Sequence, residues 1–207
     1  MVEETGEKNA QELFAPAEQF TSTRDRITAT ALNMFYEQGF HAVGLDRVIR
    51  EVGVTKTTFY NHFESKDDLM IAAIQMRDRW ESQSFGMAVE KFSDGTPRGT
   101  ILAIFDVLDH WFNDPDYMGC LFITACAEFP SRFDPVHDAA AKHYGATSDF
   151  LKDLCEKAGV QESEAVAKQI DLLIEGAVVM RMIKCDNTTA VTAKAVAEGL
   201  LEKHLAS

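Results

Sequence analysis

Between residues 55 and 62 the chain reads Thr-Lys-Thr-Thr-Phe-Tyr-Asn-His. Four hydroxyls, an ammonium, a carboxamide and an imidazole fall within eight residues. These groups suit directed hydrogen bonding better than bond-breaking chemistry. A carboxamide such as that of Asn61 can pair with both edge atoms of adenine. Lys56 can reach guanine O6 and N7 or a phosphate, and a Thr methyl, at Thr55 or Thr57, can touch the thymine methyl. The hydroxyls of Thr58 and Tyr60 suit phosphate oxygens, and His62 adds a further exposed polar group. Phe59 and Phe63 interrupt this polar run at a spacing that turns them inward.

Such groups act together only if two short helices hold them. Leu45, Val48, Ile49 and Val52 form an apolar face at helical spacing that ends at Gly53. A glycine there can take the positive φ that a tight helix-to-helix corner needs. Thr55 then offers a hydroxyl to the free N–H groups at the start of the next helix. A helix, a glycine corner and a polar second helix outline a DNA-reading helix-turn-helix. Arg47 and Arg50 either flank the groove or lie on a solvated helix face.

The segment GVTKTTFYNHFESKDDL, residues 53–69, resembles the signature of the TetR (tetracycline-repressor-like) family. The specific likeness covers about residues 24–70. Beyond it the match is one of length and helical pattern. Two positions depart from the family pattern: Ile49 stands where a small Ala is common, and Gly44 where Ser or Thr often caps the second helix. The resemblance implies DNA contacts from Thr55, Lys56, Thr57, Thr58, Tyr60, Asn61 and His62. It adds Lys66 at the start of the fourth helix and Arg24 at the start of the first, where helix N-termini also meet phosphates.

The 207 residues carry a formal charge of −13, yet the balance is uneven. Residues 1–23 hold one Lys and five Glu. Residues 24–66 hold six Arg and Lys against five acids, and residues 67–207 hold thirteen against twenty-three. The one segment that is not acidic is the helix-turn-helix. An acidic remainder repels DNA and so disfavours indiscriminate binding. The cysteines Cys120, Cys126, Cys155 and Cys185 show no C-x-x-C pair, which fits reduced thiols. The acidic N-terminal residues lack a signal pattern and no apolar run reaches about 20 residues, so a cytoplasmic protein with no membrane partner is expected. No G-x-S-x-G, H-E-x-x-H or phosphate loop argues for an enzyme, and lone residues such as His110, His137 and His204 give no metal site. A helical enzyme or carrier with a vestigial head is the competing class. No cofactor is expected.

No stretch alternates like a strand, so the chain reads as all-α: a three-helix DNA-binding head plus a larger helical body for effector binding and dimerisation. The division is a loose acidic tail at 1–20, the head at 21–66 and the body at 67–207. Thr21-Ser22-Thr23 can cap the first helix, which Gly39 stops. Ser65 with Asp68 resembles a capping box for a long fourth helix. Thr96 caps and Pro97 begins the fifth. Later helices are expected at about 117–128, 134–158, 161–184 and 188–205.

The resemblance implies a pocket for an unknown small-molecule effector. Candidate walls are Phe105, Trp111, Phe122 and Met180; candidate anchors are Glu128, His143 and Tyr144. An aromatic and Met stripe at helical spacing is more usually core. Cys120 is either a thiol sensor of oxidants or electrophiles, or a buried small hydrophobe. The last two helices carry Ile170, Leu173, Ile174, Ala177 and Val178, then Val191, Ala195, Leu200 and Leu201. They either close the monomer's core or, as in the family, form a homodimer. A two-fold dimer would match a palindromic operator of double-stranded DNA with half-sites about 34 Å apart. The function implied is a ligand-responsive regulator, a repressor; the alternative is a redox or electrophile sensor acting through Cys120.

Overall fold

The computed structural model describes residues 22–205. Nine helices follow in order among them: α1 (Thr23–Gln38), α2 (Leu45–Val52), α3 (Lys56–Tyr60), α4 (Lys66–Phe92), α5 (Pro97–Phe112), α6 (Leu121–Glu128), α7 (Pro135–Lys157), α8 (Ser163–Lys184) and α9 (Thr189–His204). Among the described residues the sole β pairing is an isolated bridge between Val160 and Leu205. The all-α reading of the sequence is therefore the observed fold. The tail expected at residues 1–20 lies outside the described residues. Among the described residues, no helix is long and apolar enough to cross a membrane.

The contacts divide the described chain into two compact units, one of residues 22–79 with 118–147 and one of residues 80–117 with 148–205. Residues 119–129 bond back onto the first helix and its corner. Tyr36 Oη donates to the Gly119 carbonyl at 2.7 Å, and the Glu128 carboxylate accepts from the N–H groups of Phe40 and His41. These partners lie more than 80 residues apart in sequence, which is why no local pattern announces them.

In the first unit, Ser22 caps α1 by accepting from the Asp25 N–H at 3.0 Å. Ile27, Ala31, Met34 and Phe35 are buried, as their spacing requires. Gly39 ends the helix at φ 82°, and its own N–H returns to the Phe35 carbonyl. A Cβ at Gly39 would stand 2.5 Å from Glu128 Oε1, so the corner needs glycine for space as well as for φ. Ser65 Oγ accepts from the Asp68 N–H, while Asp68 accepts from the N–H of Glu64 rather than that of Ser65. The capping box is thus present but offset by one residue on its return bond. The helix expected from 117 begins at Leu121, because Gly119 takes φ 94° and breaks the helical path.

In the second unit, Thr96 Oγ1 accepts from the Gly99 N–H and Pro97 opens α5. Helix α9 packs against α5 and α8. Its buried alanines, Ala190, Ala193 and Ala197, permit the helices to approach closely. Lys194 grips both oxygens of Asp106 at 2.7 and 2.8 Å, joining α9 to α5 across a half-buried pair.

Candidate nucleic-acid interface

The site begins at the corner after α2. Gly53 takes φ 77° and ψ 33°. Its N–H returns to the Arg50 carbonyl, and the Val54 N–H returns to that of Ile49, both at 3.2 Å. This pair of bonds satisfies carbonyls that the ending helix would otherwise leave open. Gly44, at the other end of α2, supplies no side-chain cap, the consequence of its lacking a hydroxyl. Thr55 then caps α3, its Oγ1 accepting from the Thr58 N–H at 3.0 Å.

Helix α3 has five residues, too few to hold itself in water. Packing holds it instead. Phe59 is fully buried and stacks on Phe63, with ring centroids 5.4 Å apart. With Phe59 turned inward, Thr55, Lys56, Thr57, Tyr60 and Asn61 are exposed, and Thr58 and His62 are half-buried. The Tyr60 ring meets Phe59 edge-on at 5.3 Å and remains 56% exposed, which fixes its position without hiding its hydroxyl. The Arg24 guanidinium lies 4.6 Å from the Phe63 ring centroid. One buried aromatic pair therefore orients α3 and carries an exposed arginine from α1.

The cations have partners of their own. Lys56 Nζ is 2.8 Å from Asp46 Oδ1, and this carboxylate raises the lysine's pKa through its hydrogen bond and its charge. Arg47 donates to Gln38. Lys66 donates to the Phe40 carbonyl at 2.6 Å. Partial burial lowers its pKa, against the pull of Glu128 and Asp67. Asp46 and the corner were not among the residues that sequence reasoning selected. An acid ten residues before a lysine carries no periodic signal.

The eight effector candidates separate. Phe105, Trp111 and Met180 belong to the second unit. Phe105 is fully buried core, Met180 is half-buried, and Trp111 packs on Phe112 and Tyr117 at 5.6 and 5.0 Å. Cys120, Phe122, Glu128, His143 and Tyr144 belong to the first. Four of these five gather. Phe122 and His143 stack at 3.9 Å with planes 7° apart, and His143 Nδ1 lies 2.8 Å from Asp78 Oδ1. Tyr144 Oη is 3.9 Å from Cys120 Sγ. Glu128 stands apart from this group, with both oxygens taken by the Phe40 and His41 N–H groups at 2.9 and 2.6 Å. The remaining thiols are poor nucleophiles where burial acts on them: it raises Cys126 and pushes Cys155 to about 11. Among the described residues, no group of three or more His, Cys, Asp or Glu could hold a metal ion.

This arrangement has close counterparts. Residues 27–73 match the family model for bacterial regulatory proteins, tetR family, and residues 95–197 match that of the tetracyclin repressor-like C-terminal domain. The HTH-type transcriptional regulator YjdC of Escherichia coli (strain K12) is 26% identical over 182 residues, 86% of this chain and 93% of YjdC. The crystal structure of SCO4454, a TetR-family transcriptional regulator from Streptomyces coelicolor, superposes with a TM-score of 0.77 at 30% identity, over 87% of this chain and 95% of that one. The reduced form of E. coli NemR gives 0.75 at 22% identity, over 86% and 95%, a likeness of fold. A helix-turn-helix built on buried aromatics, followed by a matching C-terminal domain, makes the chain a member of the TetR family of DNA-binding transcriptional regulators.

Proposed function

We propose that the protein is a ligand-responsive repressor that binds a palindromic operator as a homodimer, with residues 55–62 in the major groove. The observation that carries this reading is the polar surface of α3, exposed on one side and fixed by buried Phe59 on the other. The dimer is supported by an apolar surface of different character. Leu172 and Ile183 on α8 are 77% and 71% exposed, and Val191 and Val196 on α9 are 56% and 53% exposed. Large aliphatic side chains in that number suit a second copy better than water. The repressor sense is supported by NemR, described as a transcriptional repressor and 26% identical over 107 residues, 51% of this chain and 53% of NemR.

The group at Cys120, Phe122, His143 and Tyr144, with Asp78 beside it, is the proposed effector contact. Helix α6 carries Phe122 near one end and Glu128 at the other, about 9 Å along the axis. Glu128 holds the Phe40–His41 corner of the head. An effector that binds one position of α6 better than another would therefore bias the head through the same helix. Selection of binding sites from random duplex DNA, at fixed moderate salt, tests the function. A palindrome with half-sites about 34 Å apart is expected. Equal weak binding to every duplex would contradict it.

A second reading has its own observation, the Cys120 thiol beside the Tyr144 hydroxyl. If a thiol modification is the signal, alkylating Cys120 weakens operator binding and Cys120→Ser is insensitive to the reagent. Unchanged affinity after complete alkylation would remove this reading.

A further inference from the structure

We propose that Asp46 is a selectivity residue: by engaging the Lys56 ammonium at the start of α3, it withholds that cation from phosphates of arbitrary DNA and presents it to a base edge. The inference rests on the reading that residues 55–62 face the groove. Asp46 is the second residue of α2 and Lys56 the first of α3, so the Gly53 corner sets their 2.8 Å contact. Their side chains are 75% and 66% exposed. A pair so open to solvent contributes little to folding. Its main consequence is for what Lys56 meets outside the protein.

Charge placement gives the pair its weight. Lys56 is the one charged residue in the sequence of α3, KTTFY. Opposed by Asp46, it leaves the polar surface nearly neutral. Sequence-independent affinity grows with each phosphate that a cation neutralises, with log affinity falling by about 0.9 per contact for each log of salt. A lysine already partnered makes that exchange poorly. At a guanine the balance differs, because O6 and N7 offer two directed acceptors and the lysine arrives in a fixed position. Asp46 thus penalises the common, undirected contact more than the rare, directed one.

The test compares Asp46→Asn, Glu51→Gln, Lys56→Ala and the Asp46→Asn/Lys56→Ala pair on the selected operator and on a scrambled duplex across a salt series. Asp46→Asn is expected to raise scrambled-duplex affinity five- to tenfold near 0.1 M salt and to steepen its slope by about 0.9. Operator affinity should rise less, so the ratio between the two falls. Adding Lys56→Ala should cancel the gain, and Glu51→Gln, which removes an exposed acid elsewhere on α2, should give at most a small part of it. An unchanged slope for Asp46→Asn, or an equal gain from Glu51→Gln, would overturn the proposal while leaving the groove reading intact. If Lys56→Ala changes neither duplex, Lys56 meets no DNA and this inference falls, while the base profile of Asn61→Ala decides separately whether the groove reading stands.

Discussion

Two exposed surfaces of this protein are built on opposite terms. The surface at residues 55–62 is polar, and its apolar members Phe59 and Phe63 are turned inward and buried. Helices α8 and α9 instead turn four aliphatic side chains outward, Leu172, Ile183, Val191 and Val196. A polar surface can stay hydrated and exchange its waters for bases and phosphates when DNA arrives. An aliphatic one is best kept permanently covered. The difference teaches that the first suits a partner that comes and goes, and the second a partner that stays.

The sharpest way to break this comparison is to make the aliphatic surface polar. Leu172→Glu with Ile183→Glu should give a folded monomer in sedimentation, since both side chains are already exposed. Operator affinity should fall at least a hundredfold as the linked second head is lost. A variant that remains dimeric would show that the aliphatic surface is not the dimer contact.

Next in size is the joint between α6 and the head. Glu128→Gln leaves the N–H groups of Phe40 and His41 sharing one neutral acceptor in place of a carboxylate. About 2 kcal/mol of stability should be lost, allowing for the exposure of His41. That corresponds to a fall in Tm of about 4–8 °C in thermal melts. Gly39→Ala should act in the same direction, because its Cβ meets the same carboxylate.

A smaller effect belongs to the cap of the reading helix. Thr55→Ala removes the acceptor for the Thr58 N–H and should cost about 1 kcal/mol. Chemical denaturation measures that loss, while the dimer should be untouched.

The smallest concerns α8 itself. Burial, aided by the Asp171 and Glu81 carboxylates, raises Glu175 to about 7. A carboxyl raised in the fold favours the folded state when protonated. That stability is fully present below the ordinary pKa near 4.5 and is lost as pH rises through about 7. Glu175→Gln should therefore be more stable than the parent at pH 8, by roughly 1 kcal/mol, with the difference closing by pH 4 in denaturation curves.

The two surfaces were also unequally legible in the sequence. The head was readable because its signals are local: Gly53 at a corner, Thr55 at a cap and Phe59 four residues before Phe63. Local rules place these within one or two residues. Leu172 and Val191 were harder, because an outward aliphatic residue in a helix looks like a core one until its neighbours are known. A carboxylate among apolar residues suggests an anchor at Glu128, but nothing local shows its bonds to the N–H groups of Phe40 and His41, 88 and 87 residues away. The motif likewise gives Lys66 a place at a helix start without showing its bond to the Phe40 carbonyl. Each is a long-range polar bond, for which sequence periodicity has no signature.

If the exposed side chains of residues 55–62 read bases, Asn61, at the C-terminal end of α3, is the residue best suited to test it. Binding sites should be selected from random duplex DNA with the parent protein and with Asn61→Ala under the same salt. The account expects one palindrome with unchanged half-site spacing, and loss of base preference at one symmetric position in the variant. An identical base profile for the two proteins would contradict it.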